Sequence, residues 1–166
     1  RRMARGYTIA EYKDLFDRVK KKIPNSTFTT DVIVGFPGET DEEFQATLDL
    51  VDYCKFDMAF SFKYSPREGT PAAKMDNQIS TEVKNARLQT LNEHLNHWAK
   101  ENNMKYLHQK VKVLCEGKSK KNDQVYSGYS EENKLVNFTG PKGLENQIVE
   151  VEITDVKSFS LDGRAL

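Results

Sequence analysis

Hydrophobic side chains near the start of the chain recur at intervals of three and four, which predicts an amphipathic helix. The members of this stripe are Tyr12, Leu15, Phe16, Val19 and Ile23. Thr8 and Glu11 lie three positions apart just before the stripe, which is the pattern of a capping box at a helix start. Pro24 is expected to end the helix, because proline disfavours helical backbone in the residue before it.

The next segment, residues 28–36 (FTTDVIVGF), is apolar almost without interruption after Asp31. This pattern predicts a strand buried on both faces, as in a parallel sheet. Thr40 and Glu43 form a second capping box, and helical spacing then continues to Cys54. Residues 56–64 alternate again and predict a second strand, so we expect a strand-helix-strand unit with a right-handed crossover.

A sheet of two strands is too small to be covered on both faces. The pattern therefore indicates part of a larger α/β protein, a partial (β/α) barrel. Residues 65–80 form a polar loop at the end of the second strand, where α/β folds place their ligands. A long helix is expected from Thr81 to Lys105 with one apolar stripe, whose members are Leu88, Leu91, Leu95 and Trp98.

The hydrophobic period changes to two after Tyr106. Five short strands are predicted at residues 110–115, 124–129, 134–138, 148–153 and 158–161. Because exposed strand edges need protection, five short strands favour a small closed all-β barrel. We therefore expect two domains, with residues 1–103 forming the α/β part and residues 104–166 forming the barrel.

The charge of the chain limits its partners. There are 25 basic and 25 acidic residues, so nucleic-acid binding cannot depend on the net charge. Basic residues are enriched locally, with eight in residues 1–22 against three acids, and a solvated helix face is the favoured explanation. No apolar run approaches the ~20 residues of a membrane helix. The chain starts at Arg1 and shows no signal peptide, so we expect a shortened start and a cytoplasmic protein.

The two cysteines are too few for a metal centre. Cys54 and Cys115 are 61 positions apart, and neither has a second cysteine nearby. Zinc and iron-sulfur sites need three or four such ligands, so no metal site is predicted. In a chain without an export signal, two reduced thiols are favoured over a disulfide.

Several motifs in chain order resemble one enzyme family. They are Met3–Thr8 (MARGYT), residues 29–40 (TTDVIVGFPGET), residues 60–75 (FSFKYSPREGTPAAKM) and residues 133–138 (NKLVNF). Together they resemble the C-terminal part of the radical S-adenosylmethionine (SAM) methylthiotransferases, which ends in an OB-like, RNA-binding TRAM domain. The last two motifs most resemble the branch that acts on tRNA.

The resemblance implies a specific chemistry for the full-length enzyme. One 4Fe-4S cluster, held by three cysteines, cleaves SAM to a deoxyadenosyl radical, and a second cluster takes part in sulfur delivery. A methylthio group then replaces hydrogen at C2 of N(6)-dimethylallyladenosine next to the anticodon. None of those six cysteines is present here, so we expect the fragment alone to be inactive, with no catalytic residue and no bound cofactor.

The resemblance also implies a SAM-binding region. In this family, the strand that contains Ile33, Val34, Gly35 and Phe36 passes the SAM adenine. Tyr64 and Arg67, at the end of the next strand and the start of its loop, face the same opening of the barrel. The superfamily pattern there is G-x-I-x-G-x-x-E, which Ile33 and Gly35 match. Asp31 replaces the first glycine and Glu39 falls one place late, which puts a direct role for Glu39 in doubt. From the residues alone, glycines before a capped helix favour either an anion site or simply a tight turn.

A candidate RNA site combines a lysine-rich turn with nearby aromatic rings, a mixture that OB-like barrels use for single-stranded nucleic acid. Its members are Lys118, Lys120, Lys121, Tyr126, Tyr129 and Phe138. A solvated turn above rings that belong to the core is the alternative, and Phe138 is the weakest member. The family usually has Gly-Arg-Thr where this chain has Gly128-Tyr129-Ser130, so Tyr129 would stack on a base where the arginine is lost.

Three hypotheses of function follow. The first is a fragment of a tRNA methylthiotransferase, with tRNA as partner. The second is a non-catalytic RNA-binding module, and the third is a related enzyme that methylthiolates a ribosomal protein. The oligomeric state is left open by the sequence.

Overall fold

The computed structural model describes residues 2–120 and 122–166, and these form two compact units that divide between Asn96 and His97. The first unit contains helix α1 (Ile9–Lys22), strand β1 (Thr29–Val34), helix α2 (Asp41–Cys54) and strand β2 (Met58–Lys63). Helix α3 (Thr81–Met104) follows a polar loop that holds one short 3-10 turn, Pro71–Lys74. No described helix is long and apolar enough to cross a membrane.

Both predicted capping boxes are present. Thr8 and Glu11 bond reciprocally at the start of α1, and Thr40 and Glu43 do the same at the start of α2. Each box satisfies two backbone N–H groups that a helix start leaves without partners. The local sequence therefore sets where both helices begin.

Strands β1 and β2 pair in parallel, as the strand-helix-strand pattern predicts, with Asp31 opposite Phe60 and Val34 opposite Lys63. The expectation that the first strand is buried on both faces is wrong for this chain. Val34 is buried, but Ile33 is 42% exposed and Phe60 is 57% exposed. The described residues form only these two strands in this sheet, and its other face exposes Ile33, Phe60 and Phe62.

The core of the first unit lies between its helices and one side of the sheet. Phe16 of α1 packs on Phe28, with ring centroids 4.5 Å apart. Other buried side chains are Val34, Leu48, Val51, Cys54, Phe56, Leu91 and Leu95. In α3 the predicted apolar stripe is only partly buried at Leu88, whereas the neighbouring Arg87 is buried.

The second unit is a closed five-stranded barrel, which confirms the small all-β barrel. Its strands are β3 (Lys110–Ser119), β4 (Asn122–Ser130), β5 (Leu135–Thr139), β6 (Ile148–Val156) and β7 (Leu161–Ala165). The order around the barrel is β3-β4-β5-β7-β6, and only the β5–β7 pair is parallel. The last strand was predicted three residues too early, because Ser158 and Phe159 lie in the connection before it.

Alternate residues of these strands fill the barrel. The fully buried members include Val113, Cys115, Tyr126, Val136, Phe138, Val151, Ile153 and Leu161. Gly128 lies where β3 approaches β4 so closely that an added Cβ would be 2.1 Å from the Leu114 carbonyl oxygen. Only glycine fits there without moving the neighbouring backbone. Both cysteines are free and buried, one in each unit.

Candidate cofactor and nucleic-acid sites

The turn between β1 and α2 is held by a charge network around the buried Arg87. Gly35, at φ +74°, donates its backbone N–H to Glu39 Oε1 at 3.0 Å. The same carboxylate oxygen accepts from Arg87 Nη1 at 2.8 Å, and Arg87 Nη2 donates to Asp41 at 2.7 Å. Arg87 also donates to the Glu39 carbonyl oxygen at 3.0 Å. Glu39 therefore stabilises the turn itself, which gives it a structural function despite its displaced position in the motif.

Helix α3 also reaches the end of β2. Lys84 Nζ donates to the Tyr64 carbonyl oxygen at 3.2 Å and lies 5.3 Å from the Tyr64 ring centroid. A Cβ on Gly35 would be 2.4 Å from Lys84 Cγ, so this glycine makes room for the lysine stem. Phe36 and Tyr64 meet edge to face at 5.3 Å. The ends of both strands are thus joined through their aromatic rings and α3.

A cleft of about 880 Å³ opens beside these strand ends, and the structure places three of the six predicted SAM residues on its wall. These are Ile33, Tyr64 and Arg67. Val34 is 1% exposed and belongs to the core, so its side chain cannot contact a ligand in the cleft. Tyr64 lines the cleft with other atoms, since its hydroxyl is buried and has no hydrogen-bond partner among the described residues.

Sequence reasoning missed other polar groups of this cleft. Arg5, Tyr7 and Asp31 line it. A hydrogen bond to Tyr7 raises the pKa of Arg5, with a smaller contribution from the charge of Asp31. Arg5 and Tyr7 belong to the MARGYT motif, and this motif was the sequence feature that could have identified them as part of the site. The cleft thus combines apolar surface with cations and hydroxyl groups, a composition typical of small-molecule sites.

The second unit carries a groove of about 920 Å³ on the outer face of the barrel. Its floor contains Ser127, Asn137 and Asp162, which are paired in register across β4, β5 and β7. Its walls include the β3–β4 hairpin on one side and the β6–β7 connection on the other. The row of polar side chains offers hydrogen bonds to a ligand.

Of the predicted RNA-binding residues, some line the groove and others lie in the barrel core. Lys118, Lys120 and Tyr129 line the groove, and Tyr129 is 40% exposed. Lys121 lies outside the described residues. Lys118 Nζ is 3.4 Å from the ring centroid of Tyr126, so it covers that ring by a cation–π contact.

Tyr126 and Phe138 were predicted to contact RNA, and the structure corrects this prediction. Their rings stack at 5.7 Å in the barrel core, and they are 0% and 1% exposed. Because strand alternation points both inward, neither ring can stack on a base in this structure. Phe159 was missed, although it lines the groove and is 62% exposed. Residues 158–161 were predicted as a strand. The serines on either side of Phe159 were the only sequence feature that indicated an exposed connection there.

Two family profiles match the chain. Residues 1–51 match the Radical SAM superfamily, and residues 105–166 match the TRAM domain. These matches agree in position with the strand-helix turn of the first unit and with the barrel of the second.

Curated relatives match almost the whole chain. It is 54% identical over 161 residues to the tRNA-2-methylthio-N(6)-dimethylallyladenosine synthase of Bacillus cytotoxicus, covering 97% of this chain and 32% of that protein. The enzymes of the same name from Bacillus cereus (strain AH187) and Staphylococcus haemolyticus are 52% and 50% identical over equal lengths. The chain spans about a third of the length of these relatives. The resemblance of the motifs to the radical SAM methylthiotransferases is therefore confirmed by these matches, which correspond to one part of such enzymes.

Proposed function

We propose that the full-length protein containing this chain transfers a methylthio group to C2 of N(6)-dimethylallyladenosine next to the anticodon of tRNA. The observation that carries this proposal is the identity of 50–54% to synthases of that name along 97% of the chain. The proposal includes a cytoplasmic location, because its substrate is tRNA. The related reaction on a ribosomal protein is disfavoured by the names of these relatives.

The proposed division of labour follows the two units. Residues 1–103 would complete the radical SAM domain as the last part of a (β/α) barrel, and residues 104–166 would bind RNA. The uncovered face of the β1–β2 sheet supports the first assignment, because Ile33, Phe60 and Phe62 are exposed there. In a complete barrel, further strands would cover such a face.

The residues of the first unit fit a role in holding SAM. The cleft offers the apolar Ile33, the aromatic residue Tyr64 and the cation of Arg67. When bound, SAM supplies the radical and the methyl group of the reaction. This chain's residues would bind and orient it, with the Glu39–Arg87 network fixing the turn beside β1.

The two 4Fe-4S clusters do not fit this chain. Among the described residues, no three Cys, His, Asp or Glu side chains are grouped to hold a metal. Cys54 and Cys115 are both buried, in separate units. The clusters of the proposed enzyme therefore require ligands from the rest of the full-length protein.

Mass spectrometry of tRNA nucleosides tests the proposed reaction. The full-length protein, reconstituted with iron and sulfide and supplied with SAM and a reductant, should convert N(6)-dimethylallyladenosine in tRNA to its 2-methylthio derivative. The 166-residue chain alone serves as the control and should leave the tRNA unchanged. Unmodified tRNA together with a methylthiolated ribosomal protein would overturn the proposal.

A salt titration tests the RNA-binding assignment separately. Replacing Lys118, Lys120 and Lys121 by alanine should weaken tRNA binding and flatten its salt dependence, because each lost phosphate contact removes about 0.7–0.9 from the slope of log K against log salt. Lys142→Ala is a matched control, because this lysine is exposed and does not line the groove. An unchanged affinity and slope in the triple variant would exclude this turn from the RNA site.

A further inference from the structure

The most exposed aromatic ring of the barrel lies at the tip of a tight connection. Phe159, 62% exposed, is located between β6 and β7. Lys157 donates its backbone N–H to the Ser160 carbonyl oxygen at 2.9 Å, which closes the connection around Ser158 and Phe159. A phenyl ring in water gives up the stabilisation that burial would supply.

The base of this connection is fixed from two sides. Asn103, 1% exposed, donates its side-chain amide to the Lys157 carbonyl oxygen at 2.7 Å and to the Ser158 carbonyl oxygen at 3.4 Å. The Lys157 ammonium group pairs with the Asp162 carboxylate on β7. Because the backbone under the ring is already ordered, a ligand that contacts Phe159 need not order it on binding.

The strand register places Phe159 near the second exposed ring of the groove. Val136 of β5 pairs with Leu161, two residues after Phe159, and the adjacent Leu135 pairs with Tyr129. Phe159 and Tyr129 therefore lie toward the same end of the groove, above the polar side chains of its floor. Two rings flanking hydrogen-bonding groups form a surface suited to the faces and edges of nucleobases.

The charges of the groove leave a part in RNA binding to base stacking as well as to phosphate attraction. The cation of Lys157 is neutralised by Asp162, and Lys118 covers Tyr126. Across the whole chain, basic and acidic residues are equal in number. A partner would therefore be held here by stacking of its bases in addition to the phosphate contacts proposed for the lysine turn, and the stacked bases must be unpaired, since the bases of a duplex cover one another's faces.

We propose that Phe159 is the principal stacking platform of the barrel and that the groove binds a single-stranded RNA segment, with Tyr129 as the second ring. This inference rests on the proposed function, because it names the kind of RNA that the barrel takes. Asn103 acts as a positioning residue, since it holds the backbone that presents the ring.

Fluorescence titration of the 166-residue chain tests the inference. The probes are an unpaired eight-nucleotide RNA containing 2-aminopurine and a duplex of the same sequence. Phe159→Ala should weaken binding of the unpaired RNA by about 5- to 150-fold. The salt slope should stay constant, because a ring releases no counterions. Phe159→Trp should retain the affinity and the quenching of 2-aminopurine.

Ile148→Ala is the matched control. Ile148 is even more exposed, at 72%, and it pairs with Leu114 away from the groove lining. Its replacement should leave RNA affinity unchanged, which excludes a general effect of removing surface apolar area. Circular dichroism of each variant establishes that the barrel is intact.

The outcomes separate this inference from the proposed function. If the chain binds RNA and Phe159→Ala binds equally well, the inference is wrong and RNA binding by the barrel stands. Equal affinity for duplex and unpaired RNA overturns the single-strand assignment. If the unchanged chain binds neither these probes nor tRNA, the RNA-binding assignment itself fails, and the inference fails with it. Loss of self-association without loss of RNA affinity in Phe159→Ala would assign the ring to a protein contact instead.

Discussion

At the scale of single residues, Arg87 illustrates how a charge stabilises the first unit. Its side chain is 8% exposed and the side chain of Glu39 is 11% exposed, with 2.8 Å between them. Arg87→Ala would leave a carboxylate in a poorly solvated place without its partner. We expect the free energy of unfolding of the first unit to fall by about 3–5 kcal/mol.

Urea unfolding followed by circular dichroism measures this change, with Arg18→Ala as the control. Arg18 pairs with Asp14 on the surface of α1, where both side chains are more than 60% exposed. The control should lose no more than about 0.5 kcal/mol, since water already solvates both groups. Equal unfolding midpoints for the two variants would show that the buried network contributes little.

A second prediction at this scale concerns Cys54. Burial raises the pKa of its thiol from an ordinary value of 9.0 to about 11, with a smaller effect from the nearby carboxylate of Asp17. Between these two values the unfolded chain loses the proton while the folded chain keeps it. The stability of the first unit should therefore fall as the pH rises from about 9 to 11.

Comparison with Cys54→Ala isolates this contribution. The variant lacks the thiol, so the difference in unfolding free energy between the two proteins should narrow across that pH range. Any cavity left by the smaller side chain costs the same at each pH and cancels in the comparison. A difference that stays constant with pH would contradict the assigned shift.

At the scale of elements, the pairing of β3 with β4 depends on Gly128. A Cβ at this position would be 2.1 Å from the Leu114 carbonyl oxygen and 2.9 Å from Val113 Cγ1. Gly128→Ala must therefore separate two strands that form hydrogen bonds, and we expect it to destabilise the barrel by roughly 3 kcal/mol or more. Thermal unfolding measures the loss. Ser127→Ala, next to it but facing the groove, should unfold within a few degrees of the original chain.

Elements with local signals could be predicted from the sequence. The capping boxes of α1 and α2 were identified because their partners lie three positions apart, and the parallel strands because βαβ spacing allows few alternatives. Strand β7 was placed too early because Ser158-Phe159-Ser160 alternates as a strand does. Only the bond from Lys157 to Ser160 and the amide of Asn103, 54 residues from Lys157, make that segment a turn.

The residues of the candidate sites were also hard to predict where their placement depends on partners distant in the sequence. Tyr126 and Tyr129 are three residues apart in one strand, but one ring lies in the core and the other in the groove. Strand alternation separates them once the register is known, and the register depends on pairing with β3 and β5. Likewise, Glu39 could not be assigned from its motif, because its partner Arg87 is 48 residues away.

At the scale of the whole molecule, the cysteine content bears on the proposed division between RNA binding and radical chemistry. A 4Fe-4S cluster takes thiolate ligands, whereas the two cysteines here are buried in separate units. Burial also raises the pKa of both thiols, which keeps them protonated at neutral pH. Any cluster chemistry of the full-length protein must therefore use ligands outside this chain.

We accordingly predict that the 166-residue chain binds tRNA without iron or SAM. Its affinity should be unchanged by an iron chelator and by added SAM, because the groove of the barrel contains neither cysteines nor residues of the cleft proposed for SAM. After anaerobic reconstitution, iron should stay far below one cluster per chain, and no 5′-deoxyadenosine should form, whereas the full-length protein should give both signals. Iron near four atoms per chain, or RNA binding that disappears with the chelator, would show that the two activities are not separable in this way.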